Sequence, residues 1–297
     1  MVRLGLCCVF KTQPIRFRRA TARHLKQFDR KEQLMRLSEI GLDNAEALFQ
    51  AISFCHEMGI GAFRVNSQIL PLMTHPDVGY RIEDLPMGVE IVKRFRRSGE
   101  LARSRNIRLS FHPDQFVLLS SPNPSVTRNS IAELSCQALI AQWIHADVIN
   151  IHGGGLYGDR PQALLRLEKE ILSLDEPIRS RLTLENDDRS YTPETLLPLC
   201  RNTGVPLVYD VHHHRVNPDR LSVSEATALA RETWNREPLF HISSPRNGFQ
   251  GSAPRQHHDF IDPADFPACW SGFDLTVEVE AKAKEEAVLK LKKDLFG

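Results

Sequence analysis

The stretch VINIHGGG, residues 148–155, decides the fold because its character changes abruptly at one position. Residues 148–151 are apolar apart from Asn150, as expected of a strand that is buried on both faces of a parallel sheet. His152 and three glycines follow at the carboxyl end of this strand. A buried strand that ends in this way is typical of a barrel whose functional groups gather where its strands end.

Short apolar runs like this one alternate with longer amphipathic stretches along the whole chain. The predicted strands are residues 3–9, 61–66, 108–112, 148–152, 181–186, 207–211, 239–243 and 274–280. The predicted helices are residues 44–58, 88–104, 128–145, 161–174, 193–203, 222–234 and 283–295. Eight βα units without a linker predict an α/β fold, a (β/α)₈ TIM barrel forming a single domain over residues 1–297. An open doubly wound sheet is the alternative.

Composition and charge restrict the class of protein. The chain is 41% hydrophobic and 25% charged, which is ordinary for a globular protein with a buried core. No apolar run approaches the roughly 20 residues that span a bilayer, and no signal peptide is visible. We therefore expect a cytoplasmic protein without a membrane partner, a monomer, and six free cysteines, since no CxxC pair occurs.

The net charge of +1 does not indicate a nucleic-acid partner, but residues 11–31 carry eight basic side chains against Asp29 alone. Arg16, Arg18 and Arg19 lie in this segment and are candidates for phosphate contacts. A solvated basic loop without a partner is the alternative interpretation.

Metal-binding residue types stand at or just after the ends of five other predicted strands as well. Because the carboxyl ends of barrel strands meet at one face, these side chains should line one mouth. Imidazole nitrogens and carboxylate oxygens without cysteine favour Mn²⁺, Zn²⁺ or Mg²⁺, and so many of them suit two or three ions better than one. A single strand histidine is more often a core residue, so the hypothesis depends on the whole set. The candidates are His112, His152, Glu185, Asp210, His213, His241 and Glu280.

Several neighbouring positions stay ambiguous at this stage. Alternation along a strand lets only one or two histidines of the triplet at 212–214 face inward. The pair His257-His258 poses the same choice within a loop. Lys282 could touch phosphate or could begin a solvated helix.

Together these motifs resemble the UV damage endonuclease family. The matching stretches are RLGL from Arg3, FRVNSQILPLMTHP from Phe63, FHPDQFVLLSSPNP from Phe111, NIHGGGLYGD from Asn150, LTLENDDR from Leu182, VYDVHHHRVNP from Val208, HISS from His241 and VEAKAKE from Val279. They occur in order over almost the whole chain. The resemblance implies a barrel nuclease that cuts damaged double-stranded DNA on the 5′ side of cyclobutane dimers and 6-4 photoproducts. The cut leaves a 3′-hydroxyl and uses a metal-activated water.

The resemblance also implies a cluster of up to three divalent ions, usually Mn²⁺. By motif, His112, His152 and Glu185 would hold one ion. Glu185, Asp210, His241 and Glu280 would hold a second. His213 and His258 would hold a third, with His75 near the scissile phosphate and Lys282 as a further catalytic candidate.

Lesion recognition follows from the same resemblance. Gln115 and Phe116 match a glutamine–aromatic pair that inserts into the duplex, where Tyr is the usual aromatic residue. Leu6 stands where Tyr often follows RLG and is a candidate lesion contact. Leu239 stands where the family can carry a metal-site lysine, which leaves the filling of the third site open.

Three other functions compete with this one. An abasic-site endonuclease would use the same metals and a flipped sugar. A sugar isomerase or epimerase would use Glu185 and Glu280 around one or two ions in a closed pocket. A catalytically inactive damage-binding protein would lack part of the ligand set.

Overall fold

Eight parallel strands form a nearly closed barrel in the computed structural model, which describes residues 2–297. The strands are β1 Val2–Cys7, β2 Ala62–Val65, β3 Arg108–Phe111, β4 Val148–His152, β5 Leu182–Glu185, β6 Leu207–Val208, β7 Leu239–Ile242 and β8 Leu275–Val279. Hydrogen bonding follows the order β6-β5-β4-β3-β2-β1-β8-β7. An isolated parallel bridge between Asp210, just after β6, and His241 of β7 nearly closes the barrel between these two end strands. The predicted barrel is confirmed.

The helices pack around the outside of this barrel. They are α1 Ala22–Leu25, α2 Arg30–Glu57, α3 Gly88–Ser104, α4 Pro124–Ile144, α5 Arg160–Ser173, α6 Glu176–Arg179, α7 Pro193–Thr203, α8 Val211–Val216, α9 Val223–Glu232 and α10 Glu285–Phe296. The strand β4 and the helices α3 and α7 coincide with their predicted ranges. Within residues 2–297, no helix is both long and apolar enough to cross a membrane.

The prediction for α2 was wrong at its amino end, because the helix begins at Arg30 and not at residue 44. The Asp29 side chain caps this end and accepts a hydrogen bond from the Glu32 backbone N–H at 2.8 Å. Gly41 interrupts the apolar pattern within the helix. A Cβ atom at this position would lie 2.9 Å from Ile91 Cδ1, so the glycine permits a close approach of α2 and α3.

The predicted strand 207–211 also needs correction, since β6 ends at Val208 and α8 begins at Val211. The Asp210 side chain caps α8 by accepting a hydrogen bond from the His213 backbone N–H at 2.7 Å. The histidine triplet is therefore helical, and strand alternation does not decide which ring faces the mouth.

Below the mouth, the barrel interior includes a small apolar cluster, which we call the apolar floor. Val148, Val208 and Leu239 form the floor with Trp234 packed against them. Because strand side chains alternate between faces, His241 lies on the same face as Leu239, two positions nearer the mouth. Leu239 stands where the family can carry a lysine, and here its side chain is part of the apolar floor.

Glu285 attaches the amino-terminal loop to the start of α10. Its buried carboxylate accepts hydrogen bonds from the backbone N–H groups of Lys11 at 2.8 Å, Thr12 at 2.7 Å and Gln13 at 3.1 Å. Burial opposes ionisation, but these donors hold the pKa of Glu285 below its ordinary value. The start of the basic segment therefore depends on this carboxylate.

We expect Glu285→Gln to lower the free energy of unfolding at pH 7 by about 1–3 kcal/mol, because an amide oxygen cannot serve all of these donors. A carboxylate whose pKa is lowered by folding stabilises the protein above its unfolded pKa, and this stability is lost as the pH falls through the folded pKa. The difference from wild type should therefore shrink below about pH 4.3. Chemical denaturation at several pH values measures it.

The matched control is Glu286→Gln, which changes the partly exposed neighbour whose carboxylate lies 3.2 Å from Lys11 Nζ. Such a surface pair is worth less than about 1 kcal/mol. An equal loss of stability in both variants would contradict the anchoring role of Glu285.

Candidate metal centre

Five of the predicted metal-binding side chains converge at the mouth of the barrel. His112, His152 and Glu185 form one group, and Glu185, Asp210 and His241 form a second. Within each group, one possible ligand atom from every residue lies within 4.8 Å of the others. Each side chain stands at or next to the carboxyl end of a strand, so the barrel itself brings them together.

Glu185 belongs to both groups and is buried, with 1% of its surface exposed. Its Oε2 atom lies 3.0 Å from His112 Nε2 and accepts a hydrogen bond from Asn150 Nδ2 at 2.5 Å. Its Oε1 atom lies 3.2 Å from His241 Nδ1 and 3.3 Å from His213 Nδ1. One oxygen thus faces each group, which is the arrangement of a bridging carboxylate.

Several buried atoms of these groups have no hydrogen-bond partner among residues 2–297. They are His152 Nδ1, Glu185 Oε1, Asp210 Oδ2 and His241 Nδ1. Buried polar atoms are nearly always paired, so an accumulation of unpaired ones calls for an explanation. Oxygen and nitrogen ligands about 2.0–2.2 Å from one ion stand roughly 3–4 Å apart. The residues therefore fit divalent cations by both chemistry and spacing.

Electrostatics at the mouth favour positive charge. Burial opposes ionisation of Glu185, but His241 and His152 hold the pKa of its carboxyl well below the ordinary value. Burial likewise opposes a charged His241, yet the Glu185 carboxylate raises the pKa of that imidazole to about 10. Asp210 and Glu185 similarly raise the pKa of His213. Protons on these rings balance the carboxylates, and a divalent ion could take their place.

A prediction about stability follows from His241. A histidine whose pKa is raised by folding contributes stability that is complete below its ordinary pKa of about 6.5 and is lost as the pH rises through the folded pKa. We expect chelator-treated protein to lose on the order of a few kcal/mol of unfolding free energy between about pH 6.5 and pH 10. Added Mn²⁺ should remove most of this slope. Denaturation at each pH measures it, and a flat profile for the metal-free protein would contradict the prediction.

Glu280 is held by a residue that the sequence analysis missed. Arg64 of β2 donates a hydrogen bond from Nη1 to Glu280 Oε1 at 2.6 Å. The same oxygen lies 3.6 Å from His241 Nδ1, so Glu280 borders the second group. The pKa of Glu280 lies well below its ordinary value, because Arg64 and His241 outweigh the effect of burial.

The assignment of His258 to the centre requires correction. His258 is exposed, and its Nδ1 accepts a hydrogen bond from the Phe260 backbone N–H at 3.0 Å. The ring lines a separate cavity and not the one above the centre. His257 instead lies with Nδ1 3.8 Å from Glu280 Oε2. Its ring centroid is 6.5 Å from that of His213. The structure thus brings His257 to the mouth.

A cavity of about 550 Å³ opens above the centre. Arg19 lines it together with five of the predicted metal-binding side chains, which are His112, His152, Glu185, His213 and Glu280. Arg16 donates instead to the carbonyl of Ile15 at 3.1 Å, and Arg18 forms an ion pair with Asp43. Of the three arginines proposed for phosphate contacts, the structure therefore places Arg19 at the site.

The other two catalytic candidates line neighbouring cavities and lie outside the two ligand groups. His75 lines a neighbouring cavity that shares Ser67 and Gln68 with the first one. Its Nδ1 atom accepts a hydrogen bond from the Asp77 backbone N–H at 3.1 Å. Lys282 is exposed and lines a third cavity, next to Glu280.

The three lesion-contact candidates lie in two different environments. Phe116 is 74% exposed on the loop after β3, and its neighbour Gln115 is exposed beside it. Leu6 is fully buried in the hydrophobic core, so its assignment as a lesion contact is corrected. The reason is strand alternation, since Gly5 faces Glu278 inside the barrel and Leu6 therefore faces outward.

Four further supporting residues that the sequence analysis missed share one signal. Each is polar and precedes a metal-binding candidate by two positions, so both face the barrel interior. Ser110 precedes His112, Asn150 precedes His152, Thr183 precedes Glu185 and Glu278 precedes Glu280. All four are buried.

Comparison with known proteins agrees with this geometry. A family model described as UV-endonuclease UvdE matches residues 2–297. The UV DNA damage endonuclease of Bacillus velezensis is 35% identical over 287 residues, covering 91% of this chain and 85% of that protein. The corresponding protein of Deinococcus radiodurans is 32% identical over 299 residues, covering 97% and 94%. The crystal structure of SacUVDE matches with a TM-score of 0.89 at 24% identity, covering 99% of this chain and 98% of that one.

Proposed function

The chain belongs to the UV-endonuclease UvdE family, and on this basis we propose that it nicks DNA 5′ to ultraviolet photoproducts, using divalent metal ions and leaving a 3′-hydroxyl. The observation that carries the metal requirement is the pair of ligand groups sharing Glu185, with buried ligand atoms that lack partners. Mn²⁺ is the expected ion, with Zn²⁺ or Mg²⁺ as alternatives.

We propose two ions at the two groups that share Glu185, and a third near His213. His257 replaces His258 as the second ligand of this third site, because it is the ring that faces the mouth. The apolar side chain of Leu239 belongs to the apolar floor and offers no ligand atom. The third ion would therefore have one protein ligand fewer here than in a relative with lysine at that position.

The side chains of this chain divide the remaining work. When bound, the ions would supply a nucleophile at neutral pH and polarise the scissile phosphate. Asn150 fixes Oε2 of Glu185, and Arg64 fixes Glu280. Arg19 lines the cavity above the centre and Lys282 lines the neighbouring cavity that shares Glu280, and both side chains would contact backbone phosphates.

Recognition of damage falls to the loop after β3. Phe116 presents a bare aromatic face to the solvent, and inserting it between bases costs unstacking energy that is lowest at a distorted step. Gln115 stands next to it and can bond to the bases left unpaired.

One assay tests this function. Purified protein with Mn²⁺ is incubated with duplexes that carry a cyclobutane dimer, an abasic site or no lesion, and the cut positions are mapped. We expect a single nick 5′ to the dimer, its loss with chelator, and little cutting of undamaged DNA. No cutting of the dimer duplex would refute the proposal, and a preference for the abasic duplex would support an abasic-site endonuclease.

A further inference from the structure

A buried carboxylate lies behind the metal centre, on the side away from the cavity. Glu278 of β8 is 1% exposed, and β8 pairs with β7 so that Glu278 stands directly beside His241. Its Oε2 atom accepts a hydrogen bond from Arg64 Nε at 2.5 Å, and Oε1 accepts one from the Ser110 hydroxyl. The proposed reaction assigns no role to this carboxylate.

The two ring nitrogens of His241 face different surroundings. Nδ1 faces the ligand group, 3.2 Å from Glu185 Oε1 and 4.0 Å from Asp210 Oδ2. Nε2 faces the interior, 3.1 Å from Glu278 Oε2 and 2.9 Å from Arg64 Nη2. The ring therefore connects the proposed metal position to the buried ion pair.

Hydrogen-bond chemistry decides which tautomer suits a metal. A neutral imidazole that offers the Nδ1 lone pair to a cation carries its proton on Nε2, and this N–H needs an acceptor. Arg64 can only donate, so it cannot fill that role. Among residues 2–297, Glu278 Oε2 is the carboxylate within reach of this proton.

We propose that Glu278 is a positioning residue, whose carboxylate accepts the Nε2–H of His241 and fixes the tautomer that presents Nδ1 to the second ion. Arg64 and Ser110 fix Glu278 in turn. This inference rests on the metal centre of the proposed function. Carboxylates behind metal-binding histidines typically change metal affinity by about 10–100-fold when they are removed.

The test compares Glu278→Gln with wild type in two measurements. Competition with a chelator gives the affinity for Mn²⁺ or Zn²⁺, and we expect a loss of about 10–100-fold in the variant. Nitrogen-15 NMR of histidine-labelled, Zn²⁺-loaded protein reports which ring nitrogen carries the proton. We expect wild-type His241 to be protonated at Nε2, and the variant to show weaker or mixed protonation there.

Glu237→Gln is the matched control, because Glu237 also binds an arginine and a hydroxyl but lies at the opposite end of the barrel. Its carboxylate accepts from Arg3 Nη2 at 2.9 Å and from Thr276 Oγ1 at 2.5 Å. This variant should keep wild-type metal affinity and an unchanged His241 signal.

Ser110→Ala covers the case in which Glu278→Gln fails to fold, since it removes one hydrogen bond and leaves the carboxylate in place. We expect a smaller loss of metal affinity in the same direction. Wild-type affinity and an unchanged His241 tautomer in the variant that folds would overturn the role of Glu278. A wild-type protein that binds no divalent ion would overturn the metal centre itself, and this inference with it.

Discussion

Glu185→Gln is expected to abolish cutting of damaged DNA while leaving the barrel folded. Glu185 is the one residue common to both ligand groups, so the substitution should weaken both proposed ion positions at once. An amide is a poorer ligand than a carboxylate, and it also removes the negative charge that compensates the surrounding imidazoles. Losing about 4 kcal/mol of transition-state stabilisation corresponds to a rate loss of roughly 10³-fold.

Single-turnover nicking of a dimer duplex measures the rate, and circular dichroism with thermal unfolding checks the fold. Glu232→Gln serves as a control, because this exposed glutamate on α9 pairs with Arg201 at 3.5 Å, remote from the mouth. Retained cutting by the Glu185 variant would reject the bridging role. Loss of the folded barrel would mean that the carboxylate is required by the fold instead.

Phe116→Ala is expected to lower the preference for damaged over undamaged DNA by about 10–100-fold, with metal content unchanged. The ring is 74% exposed, so its removal should cost little stability. Stacking of an aromatic side chain on bases is worth about 1–3 kcal/mol. That energy should be gained mainly where the lesion has already weakened stacking, so its loss should affect damaged DNA most.

Binding and nicking of matched damaged and undamaged duplexes measure this ratio. Phe296→Ala is the control, because Phe296 is 54% exposed at the end of α10, at the opposite side of the barrel from the strand ends. Phe116→Tyr should keep most of the discrimination, since it keeps the stacking face. Unchanged discrimination in Phe116→Ala would refute the proposed insertion of Phe116 between the bases.

Much of the barrel and of its candidate metal centre is predictable from the sequence, because buried parallel strands appear in it as short apolar runs. His152 and Glu185 interrupt such runs at their ends, and barrel topology alone then brings them to one mouth. The period-two rule could also have identified Asn150 and Glu278, since each precedes a metal-binding candidate by two positions.

Other features depend on tertiary contacts that no local pattern encodes. Asp210 caps a short helix, so the strand prediction there fails and alternation cannot choose among the three histidines. His257 and His258 are adjacent in a loop, and only the folded loop shows which ring turns inward. Leu6 follows a family motif, but its outward position on β1 places it in the core.

The most direct test of the metal centre is anomalous diffraction from crystals of the protein grown or soaked with Mn²⁺, together with metal analysis of the same sample. The account predicts at least two ions per chain. One anomalous peak should lie among His112, His152 and Glu185, and another among Glu185, Asp210 and His241. Protein that cuts dimer DNA with no ion at either position would contradict the account.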